Sequence, residues 1–479
     1  MGRFNPHGLA DTSQNHVAGG DPQTVAAARA VMEQGGNAFD GIVAGAFMAM
    51  ISESALTSAG GGGCLMASAA DAEPVLFDFF NTMPGGDVAR QDLDFLSVSV
   101  DFGSAKQEFH IGRGSAAVPG NVPGLLRVQE KLGCLDRATV LAPAIRGARE
   151  GVAFSAQQAE FIRMLEPILT HSPEARALYA PKGNLPREGE PFMMPEFADC
   201  LEALGEQGPA LFQTGAVSET ILEWAEQGGL IRAEDLAQYQ VAERAPLRVE
   251  FQDCEFLLNP PPATGGVLIA HTLAQPDIST AQGLAHAMQS TAVARRQLLD
   301  PPSRGSTTHL SVLDAVGNAA SLTMTNGEGC GSLLPACGFM LNNVLGEEDL
   351  NPGGFHRHAP GQRLPSMMSP TIALREGSPV LVTGTGGSNR IRSVIIQVLI
   401  NFLGKGMTLE VATLSPRLHF DGETLQVEPG FADNEMDALR AIAPINAWGS
   451  RSLYFGGAHS VTPDGGFGDP RRSGCAVSF

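Results

Sequence analysis

One predicted β-hairpin constrains the fold of this chain more than any other feature. Residues 310–324 alternate apolar with small or polar side chains, and residues 314–318 (DAVGN) interrupt them with a typical turn sequence. This pattern indicates two antiparallel strands joined by a short turn. Two adjacent threonines, Thr307 and Thr308, are therefore expected at the start of the first strand, directly after residues 301–306 (PPSRGS), whose composition predicts a flexible run.

The position of Thr307 has chemical consequences only if the chain is cut in front of it. A β-branched residue at the start of a strand is ordinary, so the pattern by itself predicts no more than a strand. After a cut, Thr307 would carry a hydroxyl nucleophile and a free α-amine with a pKa of ~8 that can act as its base. A cut in front of Thr307 would therefore place a nucleophile and its base on the same residue.

The composition is that of a protein with a substantial core and an excess of acidic residues. The chain has 479 residues, which allows one large domain or two to three ordinary ones. Hydrophobic residues make up 43% and charged residues 17%, and the net charge is 31 − 51 = −20. This charge argues against nucleic acid and anionic membrane surfaces as partners. It fits a protein that handles small polar molecules.

Cysteine usage and the lack of targeting features favour the cytoplasm. The seven cysteines are odd in number and show no metal-ligand spacing, so we expect reduced thiols and no bound metal. Residues 1–20 are polar and lack a basic segment followed by an apolar one, and no apolar run reaches membrane-spanning length. We therefore expect a cytoplasmic protein without a signal peptide or a membrane span.

Cap signals and periodicity predict the main elements. Asp21 and Asn37 are N-cap signals for two helices, and the second helix is apolar nearly all round, so it should be buried. Residues 247–258 are predicted to form one strand, and residues 366–383 a second hairpin. A helix over residues 391–403 follows.

Two glycine-rich segments allow alternative interpretations. Residues 57–64 contain four consecutive glycines before a predicted strand, and close backbone packing beneath a site is favoured over a phosphate loop, because no Gly-Lys-Ser/Thr follows. Residues 384–390 connect a strand to a helix and expose backbone N–H groups near the positive end of that helix. This turn could hold a phosphate or an oxyanion, or it could be a plain tight turn.

Short motifs follow one another in a characteristic order along nearly the whole chain. They are residues 35–40 (GGNAFD), 58–63 (SAGGGG), 118–120 (VPG), 228–231 (GGLI) with 234–236 (EDL), 260–266 (PPPATGG), 307–312 (TTHLSV), 366–372 (SMMSPTI), 384–390 (GTGGSNR) and 468–472 (GDPRR). Each motif is weak alone, but the ordered set resembles the γ-glutamyltranspeptidase family of N-terminal-nucleophile hydrolases.

The resemblance implies a fold and a processing step. It implies an α+β fold, a four-layer αββα sandwich, in a single domain covering residues 1–479. It also implies self-cleavage between Ser306 and Thr307, which yields a large fragment, 1–306, and a small fragment, 307–479. The two fragments would remain together as partners in one folded unit, and no cofactor is expected. The resemblance leaves a homodimer open.

The resemblance also implies a set of catalytic residues. Thr307 would be the nucleophile and its freed amine the base. The backbone N–H groups of Gly386 and Gly387 would form the oxyanion hole, and Thr325 would orient the new terminal amine. His309 lies close to the nucleophile, but a residue that carries its own base needs no second one, so a packing role is favoured for it.

The departures from the family fall on substrate recognition. Phe80 stands where the family has an arginine that binds the substrate carboxylate, which replaces a charged clamp by an aromatic wall. Ser366-Met367 stands where a pair of serines is expected. Glu347 matches only loosely the acid that holds an α-amino group, and Asn326 lies in a segment whose spacing differs. We assign these five residues to substrate binding, and they argue against a γ-glutamyl substrate.

Three functions remain as hypotheses. The first is an amide hydrolase or acyltransferase of this family that acts on a small molecule other than a γ-glutamyl compound. The second is a hydrolase of a C–C bond next to a carbonyl, similar to family members in alkylproline biosynthesis that lack the arginine. The third is a catalytically silent binding relative. The presence of Thr307, Thr325, Gly386 and Gly387 argues against the third.

Overall fold

The computed structural model describes residues 14–101, 106–298, 307–351 and 353–479. In these ranges the strands are β1 (His16–Gly19), β2 (Gly62–Ser68), β3 (Val75–Phe79), β4 (Leu96–Asp101), β5 (Lys106–Ile111), β6 (Val152–Ala153), β7 (Pro191–Phe192), β8 (Ala242–Arg244), β9 (Leu247–Phe251), β10 (Cys254–Leu258), β11 (Thr308–Leu313), β12 (Ala319–Thr325), β13 (Thr371–Arg375), β14 (Ser378–Thr383), β15 (Thr385–Gly386), β16 (Leu418–Phe420), β17 (Leu425–Val427), β18 (Ile445–Ala447), β19 (Gly457–Thr462), β20 (Gly465–Gly468) and β21 (Cys475–Ser478).

The helices surround these strands. They are α1 (Pro22–Met32), α2 (Ala38–Ser52), α3 (Asn121–Leu132), α4 (Arg137–Glu150), α5 (Ala156–Met164), α6 (Glu166–Leu169), α7 (Pro173–Tyr179), α8 (Pro195–Gln207), α9 (Ala210–Gln213), α10 (Ala216–Ala225), α11 (Ala233–Ala237), α12 (Gly265–Leu273), α13 (Ala281–Leu298), α14 (Ile391–Leu399), α15 (Leu409–Leu414) and α16 (Asp433–Arg440). None of the helices in the described ranges combines the length and the apolarity that crossing a bilayer requires.

Two seven-stranded sheets form the centre of the molecule. The first has the order β21-β1-β11-β12-β2-β3-β8, and the second has the order β15-β19-β14-β13-β10-β9 with β20 paired to β19. The predicted threonine hairpin is β11 and β12, in which Leu310 lies opposite Leu322. This hairpin occupies the middle of the first sheet, so its register depends on strands from distant parts of the chain.

The strands and helices form four layers, and a large buried hydrophobic cluster lies between each pair of adjacent layers. Met66 and Leu313 of the first sheet share one buried cluster with Ile372 and Val382 of the second, so the two sheets pack face to face. The opposite face of the first sheet is covered by helices that include α2. Helices α12, α13 and α14 cover the second sheet. The architecture is therefore the expected αββα sandwich.

The cap signals read from the sequence act as expected. The side chain of Asp21 accepts a hydrogen bond from the backbone N–H of Gln23 and starts α1. Asn37 and Asp40 form a reciprocal capping box at the start of α2. Every residue of α2 is buried, because the helix lies between the first sheet and the outer helices. This location explains why the helix is apolar nearly all round.

The prediction of one strand over residues 247–258 is wrong. The structure forms a hairpin there, in which β9 and β10 pair with Leu247 opposite Leu258. Gln252 and Asp253 between them both have positive φ, at 51° and 57°. Two such residues reverse the chain in a tight turn whose twist suits flanking strands. The polar pair was the signal for this turn, and it contains neither of the usual glycine or asparagine residues.

Candidate active site

Thr307 is the first described residue after the predicted cleavage point. Ser306 and residues 299–305 lie outside the described residues. Thr308 pairs with Met324 in the antiparallel register of β11 and β12, so the next position places Thr307 opposite Thr325. The side chain of Thr307 is almost fully buried. It borders a small pocket of about 30 Å³ that is lined by Phe80, Thr307, Thr325, Glu347, Leu350, Ser366, Met367, Met368, Ser388 and Ile391.

The peptide unit between Thr307 and Thr308 is held from two sides. Arg472 donates a hydrogen bond from Nη1 to the carbonyl oxygen of Thr307 at 3.2 Å. The hydroxyl of Thr308 donates to Oε2 of Glu53 at 2.5 Å. If Thr307 becomes an N-terminus, its peptide bond to Thr308 is its one remaining covalent link to the chain. These two contacts hold the peptide that joins Thr307 to β11.

Glu53 is a buried carboxyl group that remains largely protonated near neutral pH. Burial, together with the charge of Asp21, raises the pKa of Glu53 to about 8. Burial also raises the pKa of Asp21 to about 6. Thr24 donates a second hydroxyl hydrogen bond to Oε1 of Glu53 at 2.8 Å. Glu53 therefore joins the end of α2, the start of α1 and the first residue of β11.

Arg472 is a buried cation next to this carboxyl group. Burial and the nearby charge of Arg390 lower the pKa of Arg472 to about 10, so the guanidinium stays charged at neutral pH. Its carbon Cζ lies 5.6 Å from the centre of the Phe161 ring. Neither Arg472 nor Glu53 is predicted from the sequence to have a role in the site. The GDPRR motif at residues 468–472 and a single acid after an apolar helix were the available signals.

Gly386 lies directly against the carbonyl group of Thr307. A Cβ atom at Gly386 would come within 2.0 Å of the Thr307 carbonyl oxygen and within 2.8 Å of Arg472 Nη1. Gly387 follows with φ of 124°, a conformation that favours glycine. A 3₁₀ turn over Ser388–Arg390 then leads into α14. The glycine turn therefore lies beside the candidate nucleophile and at the start of a helix.

The four consecutive glycines after α2 serve close packing. A Cβ atom at Gly61 would lie 2.2 Å from the carbonyl oxygen of Thr325, and one at Gly62 would lie 2.4 Å from Oδ1 of Asn81. Gly62 also pairs with Thr325 between β2 and β12. The missing side chains let the backbone of Gly61 and Gly62 approach Thr325, at the end of β12, closely. This arrangement agrees with the packing interpretation of residues 57–64.

Phe80 lines the pocket, and its backbone carbonyl group is bound by Arg363. The carbonyl oxygen of Phe80 accepts hydrogen bonds from the hydroxyl of Tyr239 at 2.9 Å and from Nη1 of Arg363. Arg363 is also 3.7 Å from the carboxylate of Asp78 and donates to Tyr239 at 2.6 Å. The guanidinium of Arg363 is therefore occupied by groups outside the pocket, and it is not among the residues that line it.

Three more predicted substrate-binding residues meet at the pocket, and one does not. Glu347, Ser366 and Met367 all line it. The thioether of Met367 accepts a hydrogen bond from the hydroxyl of Thr264 at 3.1 Å. Asn326 is instead engaged elsewhere, since its Oδ1 accepts from Ser58 at 2.8 Å. Asn326 directly follows the lining residue Thr325 but is not itself among the lining residues.

His309 is buried inside the first sheet. Its Nδ1 lies 2.9 Å from the hydroxyl of Thr323, and its Nε2 lies 3.0 Å from the hydroxyl of Ser311. Burial, with a contribution from His459, holds the pKa of His309 well below its ordinary value. The imidazole is therefore neutral and bound on both nitrogens. This placement fits the favoured packing role.

Known proteins resemble this chain over most of its length. The family model for gamma-glutamyltranspeptidase matches residues 24–301 and 274–479. The glutathione hydrolase proenzyme of Escherichia coli strain K12 is 27% identical, over 96% of this chain and 90% of that protein. The acylase ACY 1 proenzyme of Pseudomonas sp. strain SE83 is 28% identical, over 90% of this chain and 87% of that protein.

A solved structure shares the whole fold. The cephalosporin acylase from Bacillus halodurans superimposes with a TM-score of 0.84 at 21% identity, and the match covers 100% of this chain and 97% of that one. At this identity the likeness establishes the fold alone. Because the family model matches most of its length, the chain belongs to the γ-glutamyltranspeptidase family.

Proposed function

We propose that the protein is a self-processing N-terminal threonine hydrolase or acyltransferase that acts on an amide bond of a small molecule. The observation that carries this proposal is the position of Thr307. It lies directly before the central strand β11, borders a pocket and lies against Gly386. The peptide that follows it is held by Arg472 and, through the hydroxyl of Thr308, by Glu53. The relatives named above are proenzymes, which supports maturation by cleavage.

The proposed cut would leave two fragments in one sheet. Strands β1, β2, β3 and β8 belong to residues 1–306, and strands β11, β12 and β21 belong to residues 307–479. In the first sheet, β11 is hydrogen-bonded to β1 on one side, and β12 is bonded to β2 on the other. The fragments therefore share their backbone hydrogen bonds and their core, which keeps them associated after cleavage.

The reaction follows from the residues around Thr307. The freed α-amine takes the hydroxyl proton while the oxygen attacks the substrate carbonyl, and the amine later returns the proton to the leaving group. The N–H groups of Gly386 and Gly387 stabilise the oxyanion, a contribution of about 3–4 kcal/mol per donor. Water then releases the acyl group in hydrolysis, whereas a second amine accepts it in transfer.

The pocket favours an acyl group with an apolar part. Phe80, Leu350, Met367 and Ile391 contribute apolar surface, and Glu347 contributes the single carboxylate among the lining residues. A substrate α-carboxylate would meet no lining cation there. We therefore favour an acyl group with a ring or alkyl portion over a γ-glutamyl group. The same apolar lining also suits hydrolysis of a C–C bond next to a carbonyl, which is the second candidate.

A denaturing gel with N-terminal sequencing tests the processing step. Wild-type protein is expected to give two fragments, with the smaller one beginning at Thr307. Thr307→Ala should remain one chain of 50.1 kDa, because it lacks the hydroxyl for the acyl shift. Thr307→Ser is the matched control and should still be cut. Cleavage of the alanine variant at the same bond would contradict the proposal.

A substrate panel separates the two candidate reactions. Processed protein is incubated with acyl anilides that carry apolar, aromatic or γ-glutamyl acyl groups, and with β-diketones as C–C substrates. Turnover of an apolar anilide supports the amide hydrolase. Turnover of the diketones alone supports the second candidate. Efficient γ-glutamyl turnover would overturn the proposed specificity.

A further inference from the structure

Strand β9 forms an open edge of the second sheet. It is the last strand in the order of that sheet and pairs only with β10. Strand β15, which carries Gly386, lies at the opposite end of the same order. Within the described ranges, no residue outside β10 is hydrogen-bonded to the backbone of β9. Such an edge can accept a further strand, and this one lies across the sheet from the glycine turn.

The hairpin geometry decides which backbone groups of β9 point outward. The turn between β9 and β10 has two residues, both with positive φ, and in such a hairpin the pair that closes the turn is hydrogen-bonded. Here that pair is Phe251 and Cys254. Hydrogen-bonded and non-hydrogen-bonded pairs alternate along an antiparallel ladder. Arg248 and Glu250 therefore direct their N–H and C=O groups away from β10, to the outer edge of the sheet.

These two outward residues carry charges of opposite sign. Arg248 and Glu250 are both exposed, and they lie on the same face of β9 because one residue separates them. Arg248 binds Glu73 at 3.0 Å and Glu255 at 2.6 Å. Glu250 lies directly opposite Glu255 in the hairpin, and like charges in that arrangement are destabilising. A cation from another strand beside Glu250 would therefore stabilise this edge.

The other face of β9 is apolar and incompletely covered. Leu247, Val249 and Phe251 are each only partly buried, although they pack against the hydrophobic cluster that also contains Leu268 of α12. Apolar side chains at the edge of a sheet gain burial when another strand is added beside them. Residues 247–251 (LRVEF) thus have an apolar residue at the centre and at both ends, with opposite charges between them.

We propose that β9 is an interface between two copies of this chain, which pair antiparallel about a two-fold axis at Val249. In this register Arg248 of each copy lies opposite Glu250 of the other. The backbone groups of these residues point outward, so both rungs can be hydrogen-bonded. Leu247 of each copy lies opposite Phe251 of the other, and the two Val249 side chains meet at the axis. The same surface is used by both copies, as an isologous interface requires.

This register combines hydrogen-bonded rungs with opposite charges. The two nearest alternative registers that keep the hydrogen bonds place Arg248 opposite Arg248, or Glu250 opposite Glu250, and like charges directly opposite each other are destabilising. A shift by one residue places outward backbone groups opposite inward ones, so the rungs are lost. Because the strand is complementary in charge to its own reversed copy, the partner that it fits is a second copy of this chain.

The pairing does not depend on the proposed cleavage. Both strands of the hairpin belong to residues 1–306, and neither contributes a residue to the pocket beside Thr307. Uncut and processed chains should therefore pair alike. The interface goes beyond the proposed function, and a test of the oligomeric state can fail without affecting the assignment of Thr307.

The experiment measures the mass of the purified full-length protein by sedimentation equilibrium at micromolar concentrations. Wild-type protein is expected at about twice 50.1 kDa. Arg248→Glu puts two like-charged pairs into the interface, so the dissociation constant of the dimer should rise about tenfold or more. Combining Arg248→Glu with Glu250→Arg restores opposite charges in both pairs and should restore the dimer. Arg187→Glu is the control, because it changes the net charge equally at an exposed position outside the sheets.

Glu250→Pro tests the backbone pairing. Proline removes the outward N–H group of residue 250 but none of the hydrogen bonds to β10, so the hairpin should persist while the dimer weakens. Circular dichroism and thermal unfolding show whether each variant is folded. The proposal is overturned if wild-type protein has the mass of one chain throughout the micromolar range. It is also overturned if folded Arg248→Glu and Glu250→Pro keep the wild-type dissociation constant, because the copies would then pair through another surface.

Discussion

The two sides of the pocket around Thr307 are built from different kinds of side chain. On one side, Glu53 and Arg472 are buried, polar and bound to the peptide that carries the nucleophile. On the other side, Phe80 and Met367 offer apolar surface to whatever enters. Replacing a buried polar group leaves its partner unsatisfied, whereas exchanging one pocket-lining side chain for another costs the fold little. The reaction geometry is therefore expected to tolerate less change than the specificity.

The largest effect is expected from Gly386→Ala on the polar side. A Cβ atom 2.0 Å from the Thr307 carbonyl oxygen must displace the backbone that carries the oxyanion donor. We expect kcat on the best panel substrate to fall by about 10²–10³-fold, with circular dichroism unchanged. Gly449→Ala is the control, since no atom lies within 4 Å of a Cβ there. Near-normal turnover by Gly386→Ala would remove the glycine turn from the mechanism.

The second effect concerns the burial of Glu53 and appears as a pH dependence of stability. The folded-state pKa of about 8 is above the ordinary value of 4.5. Between these values the folded state holds a proton that the unfolded state has lost. The free energy of unfolding therefore falls as pH rises through this window, by about 1.4 kcal/mol per pH unit at most, and levels off above pH 8.

Glu53→Gln should remove this slope, because glutamine stays neutral throughout. Asp21 and Arg472 face the same carboxyl group and remain in both proteins, so the comparison isolates Glu53. Urea unfolding from pH 5 to pH 8 measures the difference, and exposed Glu410→Gln is the control. Parallel pH profiles for wild type and Glu53→Gln would show that Glu53 ionises normally.

A smaller effect is expected at Thr308. Thr308→Val keeps the side-chain shape but loses the hydrogen bond to Glu53, so the peptide after Thr307 is less firmly positioned. We expect kcat to fall about tenfold, which corresponds to about 1.4 kcal/mol, with little change in KM. Thr308→Ser restores the hydroxyl and should retain activity. Equal kcat values for the valine and serine variants would mean that the hydrogen bond does not position Thr307.

The smallest effect is expected on the apolar side. Phe80→Arg introduces a cation where the pocket has an aromatic wall, so a substrate carboxylate gains a charged partner. We expect a modest rise in kcat/KM for γ-glutamyl anilides and a loss for apolar anilides. Phe80→Leu is the control and should raise neither. A wild-type protein that already hydrolyses γ-glutamyl anilides efficiently would show that another cation fills this role.

Local patterns predicted the elements of the fold and part of the site. The threonine hairpin, the caps at Asp21 and Asn37 and the buried nature of α2 follow from periodicity and from short-range hydrogen bonding. The motif order was enough to identify the family and hence the αββα sandwich. The hairpin at residues 247–258 was missed, because its turn residues carry only a weak conformational signal in the sequence.

Part of the candidate site could be predicted from the sequence, and part could not. The sequence by itself determined the candidate nucleophile, the glycine turn at Gly386 and the pocket residues Ser366 and Met367, because each belongs to a short contiguous motif. Only the tertiary structure decided that Glu53 and Arg472 hold the peptide after Thr307. These partners are more than one hundred residues apart in the chain. Their proximity depends on how the sheets and helices pack, and local propensity carries no information about such packing.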